Sequence, residues 1–167
     1  DPKNLLRVVK ILGKLSQHKI DGNYSNTPIE SLKNIFKSWN PQTFANLTQR
    51  KNILSVLIEN FPSVGWKICI DQFSVGQSFC THSSRPRWRK DASGLGHMMS
   101  GEEIDDFVRE AINKTLKWEK HDENTLCELL ERLQVVCSAD KQRIWKLISD
   151  WNSTNPSDEQ KSKLIKV

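Results

Sequence analysis

The sequence is poor in glycine and proline and contains no long apolar run. Of its 167 residues, 7 are glycine and 6 are proline, about 8% where about 12% is usual. This scarcity disfavours a turn-rich β fold. No apolar run approaches the roughly 18 residues that a membrane-spanning helix needs, and no stretch has the layout of a secretory signal peptide. We therefore expect an all-α chain that does not interact with a membrane.

Motifs for metals, cofactors and phosphates are also missing. The cysteines Cys69, Cys80, Cys127 and Cys137 are 11, 47 and 10 residues apart, which matches no CxxC pattern. HExxH, GxxxxGK[ST] and GxGxxG do not occur. We predict no bound metal or cofactor. Cys69, Cys127 and Cys137 lie in apolar helical contexts, so buried free thiols in a reducing cytoplasm are expected.

No group of residues makes a convincing catalytic site. Cys80 and His82 could form a nucleophile and base pair, but no third member is identifiable and a surface loop is the better interpretation. The four carboxylates within residues 102–106 stand at a helix start, where acidic side chains favour the helix dipole. We expect a non-catalytic chain.

Apolar residues recur at helical spacing along most of the sequence. The predicted helices cover about 3–17, 28–39, 46–60, 63–73 and 100–120, with further helices opened by Asp122, Ser138 and Asn155-Pro156. The helix over 63–73 is apolar on most sides and is expected to be the most buried. In the third helix, polar residues 49–52 are placed opposite or beside the apolar stripe. The chain is predicted to fold as seven or eight antiparallel helices, in a bundle or a short α-solenoid of the HEAT or tetratricopeptide type.

The chain is interpreted as one continuous domain in three parts. Residues 1–73 and 100–167 supply helical hairpins, and residues 74–99 form a long loop rich in basic and aromatic side chains. The first residue is Asp1, and the last residues, 164–167, are mostly apolar. We therefore expect a fragment of a longer cytoplasmic protein.

Charge is distributed unevenly along the sequence. The net charge is +5, yet residues 1–99 carry 14 basic and 6 acidic residues while residues 100–167 carry 11 basic and 14 acidic. Four of the basic residues fall within 85–90, and four of the acidic residues fall within 102–106. We predict that these two clusters, which are close in sequence, face each other.

The basic cluster is the strongest candidate binding segment. Four cations surround Trp88, so ring stacking and charge contacts are both available there. The candidate binding residues are Arg85, Arg87, Trp88, Arg89 and Lys90. The alternative is that Arg87 and Arg89 pair with the acidic helix start while Trp88 is a packing anchor.

Three blocks within residues 5–90 carry a resemblance to a known group of proteins. They are TPIESLKNIF leading to WNPQT (27–43), RK followed by FPSVGWKI (50–68), and TH with RPRWR (81–89). Together they resemble a helical region of large bacterial multidomain proteins associated with antiphage defence, whose N-terminal parts carry an effector or a STAND-type P-loop NTPase.

The resemblance implies a sensor and protein-interaction module without catalysis. Such a region would bind a target protein, with phage proteins as one source, and relay the signal to the NTPase and effector domains of its own chain. The alternative from charge is nucleic-acid binding through the 85–90 segment. It ranks second because no predicted helix aligns lysine and arginine along one face.

Overall fold

The computed structural model describes residues 2–20, 22, 24–73 and 99–167, and every regular element in these ranges is a helix. The α-helices are α1 (Pro2–Leu15), α2 (Pro28–Phe36), α3 (Leu47–Asn60), α4 (Pro62–Asp71), α5 (Gly101–Leu116), α6 (Glu123–Leu130), α7 (Ser138–Asn152) and α8 (Asp158–Ile165). A short 3₁₀ helix covers Leu133–Val135. The all-α prediction is confirmed.

Side-chain caps begin most of these helices. The Thr27 hydroxyl accepts a hydrogen bond from the Glu30 amide at 3.3 Å, and Pro28 takes the first position of α2. Reciprocal capping boxes begin four other helices, through Asn46–Gln49, Ser100–Glu103, Asp122–Thr125 and Ser157–Gln160. Each box satisfies two backbone donors that a helix start leaves open, so local sequence determines where these helices begin.

Two predicted helix starts were displaced. Ser138 is the first residue of α7, and the N-cap position belongs to Cys137, whose thiol donates to Asp140 at 3.2 Å. The last helix begins at Asp158, after the Ser157 cap, instead of at Asn155-Pro156. Asn155 has a φ of 56°, a left-handed conformation that breaks the chain direction before α8.

The second helix ends earlier than the sequence predicted. It stops at Phe36, so Trp39 lies in the connection to α3 instead of on the helix. There Trp39 is 41% exposed, with the Lys37 ammonium 4.6 Å from its ring centroid. At this end of α2, the Arg50 side chain of α3 binds the carbonyl oxygens of Phe36 and Lys37.

The core has two apolar clusters that meet at α4 and α5. The first cluster joins α1, α2 and α3 to Val64 and Ile68 of α4. The second joins Trp66 and Ile70 of α4 to the C-terminal helices. Helix α4 buries six of its ten residues, the largest share of any described helix. The prediction of a central buried helix is therefore confirmed.

Most helices pack against others that are near in sequence. Helix α1 lies on α2 and α3, α4 lies on α2, α3 and α5, α5 also lies on α3 and α7, and α6 lies on α7 and α8. The result is an all-α bundle in which contact passes stepwise from one end of the chain to the other. No described helix is both long and apolar enough to cross a membrane.

The described cysteines are free thiols with different environments. Cys69 is buried in the first cluster, and burial raises the pKa of its thiol to about 12. Cys127 is half-buried. Cys137 is exposed, so the prediction of a buried thiol was wrong there. Its N-cap position explains the error, because a residue just before a helix is not on that helix's apolar stripe.

Candidate functional site

The binding residues predicted from the basic cluster lie outside the described part of the chain. This holds for Arg85, Arg87, Trp88, Arg89 and Lys90, and equally for Cys80 and His82. Their contact with the acidic helix start therefore stays a prediction. On the described side, Asp106 is bound by Lys51 of α3 at 2.7 Å, and the Glu103 carboxylate caps its own helix through the Ser100 amide at 3.0 Å.

A fully buried arginine lies at the centre of the N-terminal half. The Nη2 atom of Arg50 donates to the carbonyl oxygens of Phe36 at 2.9 Å and Lys37 at 2.8 Å. Its guanidinium carbon lies 4.1 Å from the centroid of the Phe107 ring. The last carbonyls of a helix lack partners within that helix and carry its negative dipole end. Arg50 therefore ends α2 and ties it to α3 and α5.

Burial affects the charge of Arg50. It lowers the pKa of the guanidinium to about 10, against the opposing charge of Glu103, so Arg50 remains a cation at neutral pH. Its Nε atom is buried without a hydrogen-bond partner in the described residues. The sequence places Arg50 opposite or beside the apolar stripe of the third helix, whereas in the structure its side chain is fully buried and joins helices instead of meeting solvent.

The spacing of α3 could have identified this arginine. Leu47, Arg50, Leu54 and Leu57 follow one another at intervals of three, four and three residues, which keeps them on one face of a helix. A cation in the middle of an apolar stripe is a candidate for a buried, partnered charge.

An open cleft of about 600 Å³ lies between the end of α3, the start of α4 and α5. The Lys114 ammonium in its wall donates to the Ser55 hydroxyl at 2.9 Å and lies 3.3 Å from the Glu110 carboxylate. The Ser55 hydroxyl itself donates to the Lys51 carbonyl at 3.0 Å.

A serine beside a lysine can act as nucleophile and base only when the amine is neutral and receives the hydroxyl proton. Here the Lys114 ammonium faces the Glu110 carboxylate, and the Ser55 proton points to a backbone carbonyl. The hydrogen bonds therefore run in the opposite sense to that of a catalytic pair. What the arrangement does is connect α3 to α5.

An aromatic cluster lies where α4 meets the link between α5 and α6. The Trp66 ring packs edge-on against Trp118 at 5.1 Å and against His121 at 5.9 Å, and its indole donates to Glu128. Both nitrogens of His121 are buried without a partner among the described residues. Burial lowers the pKa of His121, partly opposed by the charge of Asp122, so the imidazole is neutral near pH 7.

Helix α1 carries a row of exposed apolar side chains along one face. Val8, Ile11 and Leu15 are 45%, 59% and 47% exposed, and at 100° per residue they fall within an arc of about 60°. The other large exposed apolar residues of the described chain are single positions on their elements, sit in connections or lie at the C-terminal end.

Three cations form a second stripe on the same helix. Arg7, Lys10 and Lys14 are exposed and occupy an arc of about 60° whose centre is about 100° from that of the apolar stripe. The statement that no helix aligns its basic residues was therefore wrong for α1. We call these six residues the α1 surface: Val8, Ile11, Leu15, Arg7, Lys10 and Lys14.

Comparison with known proteins does not indicate a function, so the geometry of the described residues is the main basis for interpretation. The chain matches no protein-family model, no curated protein and no solved structure. No group of three or more potential metal ligands occurs among the described residues.

Proposed function

We propose that this chain is a non-catalytic helical module that binds another protein, and that the α1 surface is its main contact. The observation that carries this proposal is the exposed stripe of Val8, Ile11 and Leu15. Aliphatic side chains aligned on one helix face are what a partner helix packs against. Scattered exposed apolar residues need no such explanation.

The polar groups of the described chain support a non-catalytic role. Arg50 holds helix-end carbonyls, and Lys114 links Ser55 to Glu110. The Arg50 guanidinium and the Lys114 ammonium are thus engaged in contacts between helices. This leaves binding, not chemistry, as the better proposal for the module.

The wider role rests on the sequence resemblance. We assign the module to a larger cytoplasmic bacterial defence protein, in which it would bind a target and relay the signal to NTPase and effector domains. Arg85, Arg87, Trp88, Arg89 and Lys90 are retained as a second contact segment. A double variant, Trp88→Ala with Arg87→Ala, would weaken target binding if this segment contributes, and would leave it unchanged if it does not.

Nucleic-acid binding is the second candidate, and the aligned Arg7, Lys10 and Lys14 are the observation in its favour. Retention on duplex DNA should then fall steeply with salt, because each neutralised phosphate releases a counterion. Retention that is weak and insensitive to salt would reject this alternative.

A display selection of helical peptides against the protein tests the main proposal. The binders are then measured against Ile11→Glu and against Trp145→Glu, which alters a similarly exposed apolar residue on α7. We expect binders that lose at least about 10-fold in affinity with Ile11→Glu and keep it with Trp145→Glu. Binders that treat both variants alike would contradict a contact at α1.

A further inference from the structure

We propose that the partner of the α1 surface is an acidic amphipathic helix of another protein, an inference that rests on the proposed interaction role and specifies its partner.

The charge of α1 has one sign. The segment Pro2–Leu15, PKNLLRVVKILGKL, contains no acidic residue. Arg7, Lys10 and Lys14 form no ion pair with a carboxylate in the described part of the chain. Charge complementarity across an interface favours the matching partner and disfavours others. A partner of this stripe should therefore carry carboxylates.

The apolar stripe has different neighbours on its two sides. Arg7, Lys10 and Lys14 border one side, and half-buried Leu5 and Leu12, which pack on the first core cluster, lie on the other. An occupant of the stripe thus rests in the angle between α1 and the body of the domain. A helix fits this angle, with its apolar face on the stripe and its acidic flank turned towards the cations.

Other occupants fit the surface less well. An amphipathic helix that lies in a bilayer surface buries its whole apolar face among the lipids, whereas here one side of that face is occupied by the protein body. Duplex DNA would engage the cations but leave the aliphatic stripe uncovered. A second copy of α1 packed antiparallel would bring its cations against cations, which is unfavourable across an interface.

The pattern required of the partner follows from α1. Apolar residues at i, i+3 and i+7 would match Val8, Ile11 and Leu15, which span about 10 Å along the helix axis. Glutamates or aspartates would follow one flank of that stripe at similar intervals.

Fluorescence anisotropy with defined peptides tests this inference. The probe is a stapled helix of about 18 residues, long enough to stay helical, with leucines at i, i+3 and i+7 and glutamates along one flank. A matched peptide has lysine at every glutamate position. The full chain and four variants are compared: Ile11→Glu, the double variant Lys10→Glu with Lys14→Glu, and the control variants Trp145→Glu and Lys146→Glu on α7.

We expect the glutamate peptide to bind the unaltered chain with a dissociation constant on the order of 10 μM. Binding should weaken by about 10-fold or more in Ile11→Glu and in the double variant, and stay unchanged in both controls. The double variant should instead prefer the lysine peptide. Added salt should weaken the glutamate complex through screening.

Several results would overturn the inference. Equal binding of the two peptides by the unaltered chain would rule out an acidic partner. The same conclusion would follow if neither peptide bound and the chain instead bound phosphatidylglycerol vesicles in a way that depends on Ile11. Dimerisation that Ile11→Glu abolishes, measured by sedimentation, would assign the surface to a second copy. If selected binders depend on Ile11 but are not acidic, this inference fails and the proposed interaction role stands. If no binder depends on Ile11, both fail.

Discussion

At the scale of single residues, the polar groups with the largest structural effect are those buried between helices. Arg50 neutralises the end of α2 from α3, and His121 is held neutral between Trp66 and the cap of α6. The Arg50 cation is bonded to carbonyl oxygens, and the His121 imidazole is uncharged near pH 7. Neither residue therefore leaves an unpaired charge between the helices. Their contributions to stability should therefore differ from those of exposed charges.

Replacement of Arg50 should destabilise the fold strongly. In Arg50→Met the Phe36 and Lys37 carbonyls lose their donor while remaining covered, so we expect a loss of about 2–4 kcal/mol in the free energy of unfolding. Urea denaturation measures it. The control is Lys51→Met, which removes a pair whose carboxylate is 55% exposed and should cost less than about 1 kcal/mol. Similar losses in both variants would contradict the role assigned to Arg50.

The low pKa of His121 gives stability a defined pH dependence. In the unfolded chain the imidazole binds a proton near pH 6.5, whereas in the folded chain the pKa is lower. The unfolded state therefore binds more protons in that range. The contribution is fully present above pH 6.5 and is lost as the pH falls through the folded value.

Unfolding in urea at pH values from 5 to 8 tests this sign. The free energy of unfolding should fall on acidification, with His121 contributing a slope of at most about 1.4 kcal/mol per pH unit. His121→Phe should flatten the profile. An identical profile in His121→Phe would show that another group causes the dependence.

At the scale of elements, close approach between helices depends on small residues at particular positions. A Cβ atom on Gly65 of α4 would lie 2.7 Å from Ile58 Cγ1 and 2.8 Å from the Ile58 Cα atom of α3. Because one of these atoms is backbone, the clash could be relieved only by moving the two helices apart. Gly65 therefore sets the distance between α3 and α4, on which both core clusters depend.

Gly65→Ala should destabilise the protein by about 1–3 kcal/mol through overpacking. Gly101→Ala is the matched control, because a Cβ there meets nothing within 4 Å and alanine reduces the freedom of the unfolded chain. We expect that control to keep or slightly raise the melting temperature. A Gly65→Ala variant as stable as the control would contradict the close packing.

Sequence patterns predicted the elements well where the determinant is local. The sequence predicts helices that begin near residues 28, 100 and 122, and each of these starts is set by a cap that bonds to an amide three residues away. The end of α2 could not be predicted in this way, since its determinant is Arg50, which belongs to another helix. The sequence predicts an end near residue 39, whereas α2 stops at Phe36, where the Arg50 guanidinium binds the carbonyl oxygens of Phe36 and Lys37.

At the scale of the whole molecule, the excess of basic residues in the first 99 positions comes from α1 as well as from the segment 85–90. The cluster within 85–90 was the only basic feature recognised from sequence, yet α1 carries its own aligned cations. Arg7, Lys10 and Lys14 are separated by three and four residues, a spacing that places them on one face of a helix. Which apolar residues of α1 stay exposed could not be predicted, because that depends on how much of α1 the helices α2 and α3 cover.

The stepwise packing of the bundle leaves α1 at one end. Its neighbours are α2 and α3, and no main contact joins it to the C-terminal helices. In the described part of the chain, Val8, Ile11 and Leu15 of α1 remain exposed. We therefore expect changes on the α1 surface to affect binding without affecting the fold of α5 to α8.

The most direct test of the central claim is a two-dimensional NMR titration of the isotope-labelled protein with the glutamate peptide described above. We predict that amide shifts change along residues 7–15 and in the neighbouring residues of α2 and α3, and that Ile11→Glu abolishes these changes. Shift changes centred on α7, or no change along residues 7–15 at peptide concentrations that saturate the anisotropy signal, would contradict it.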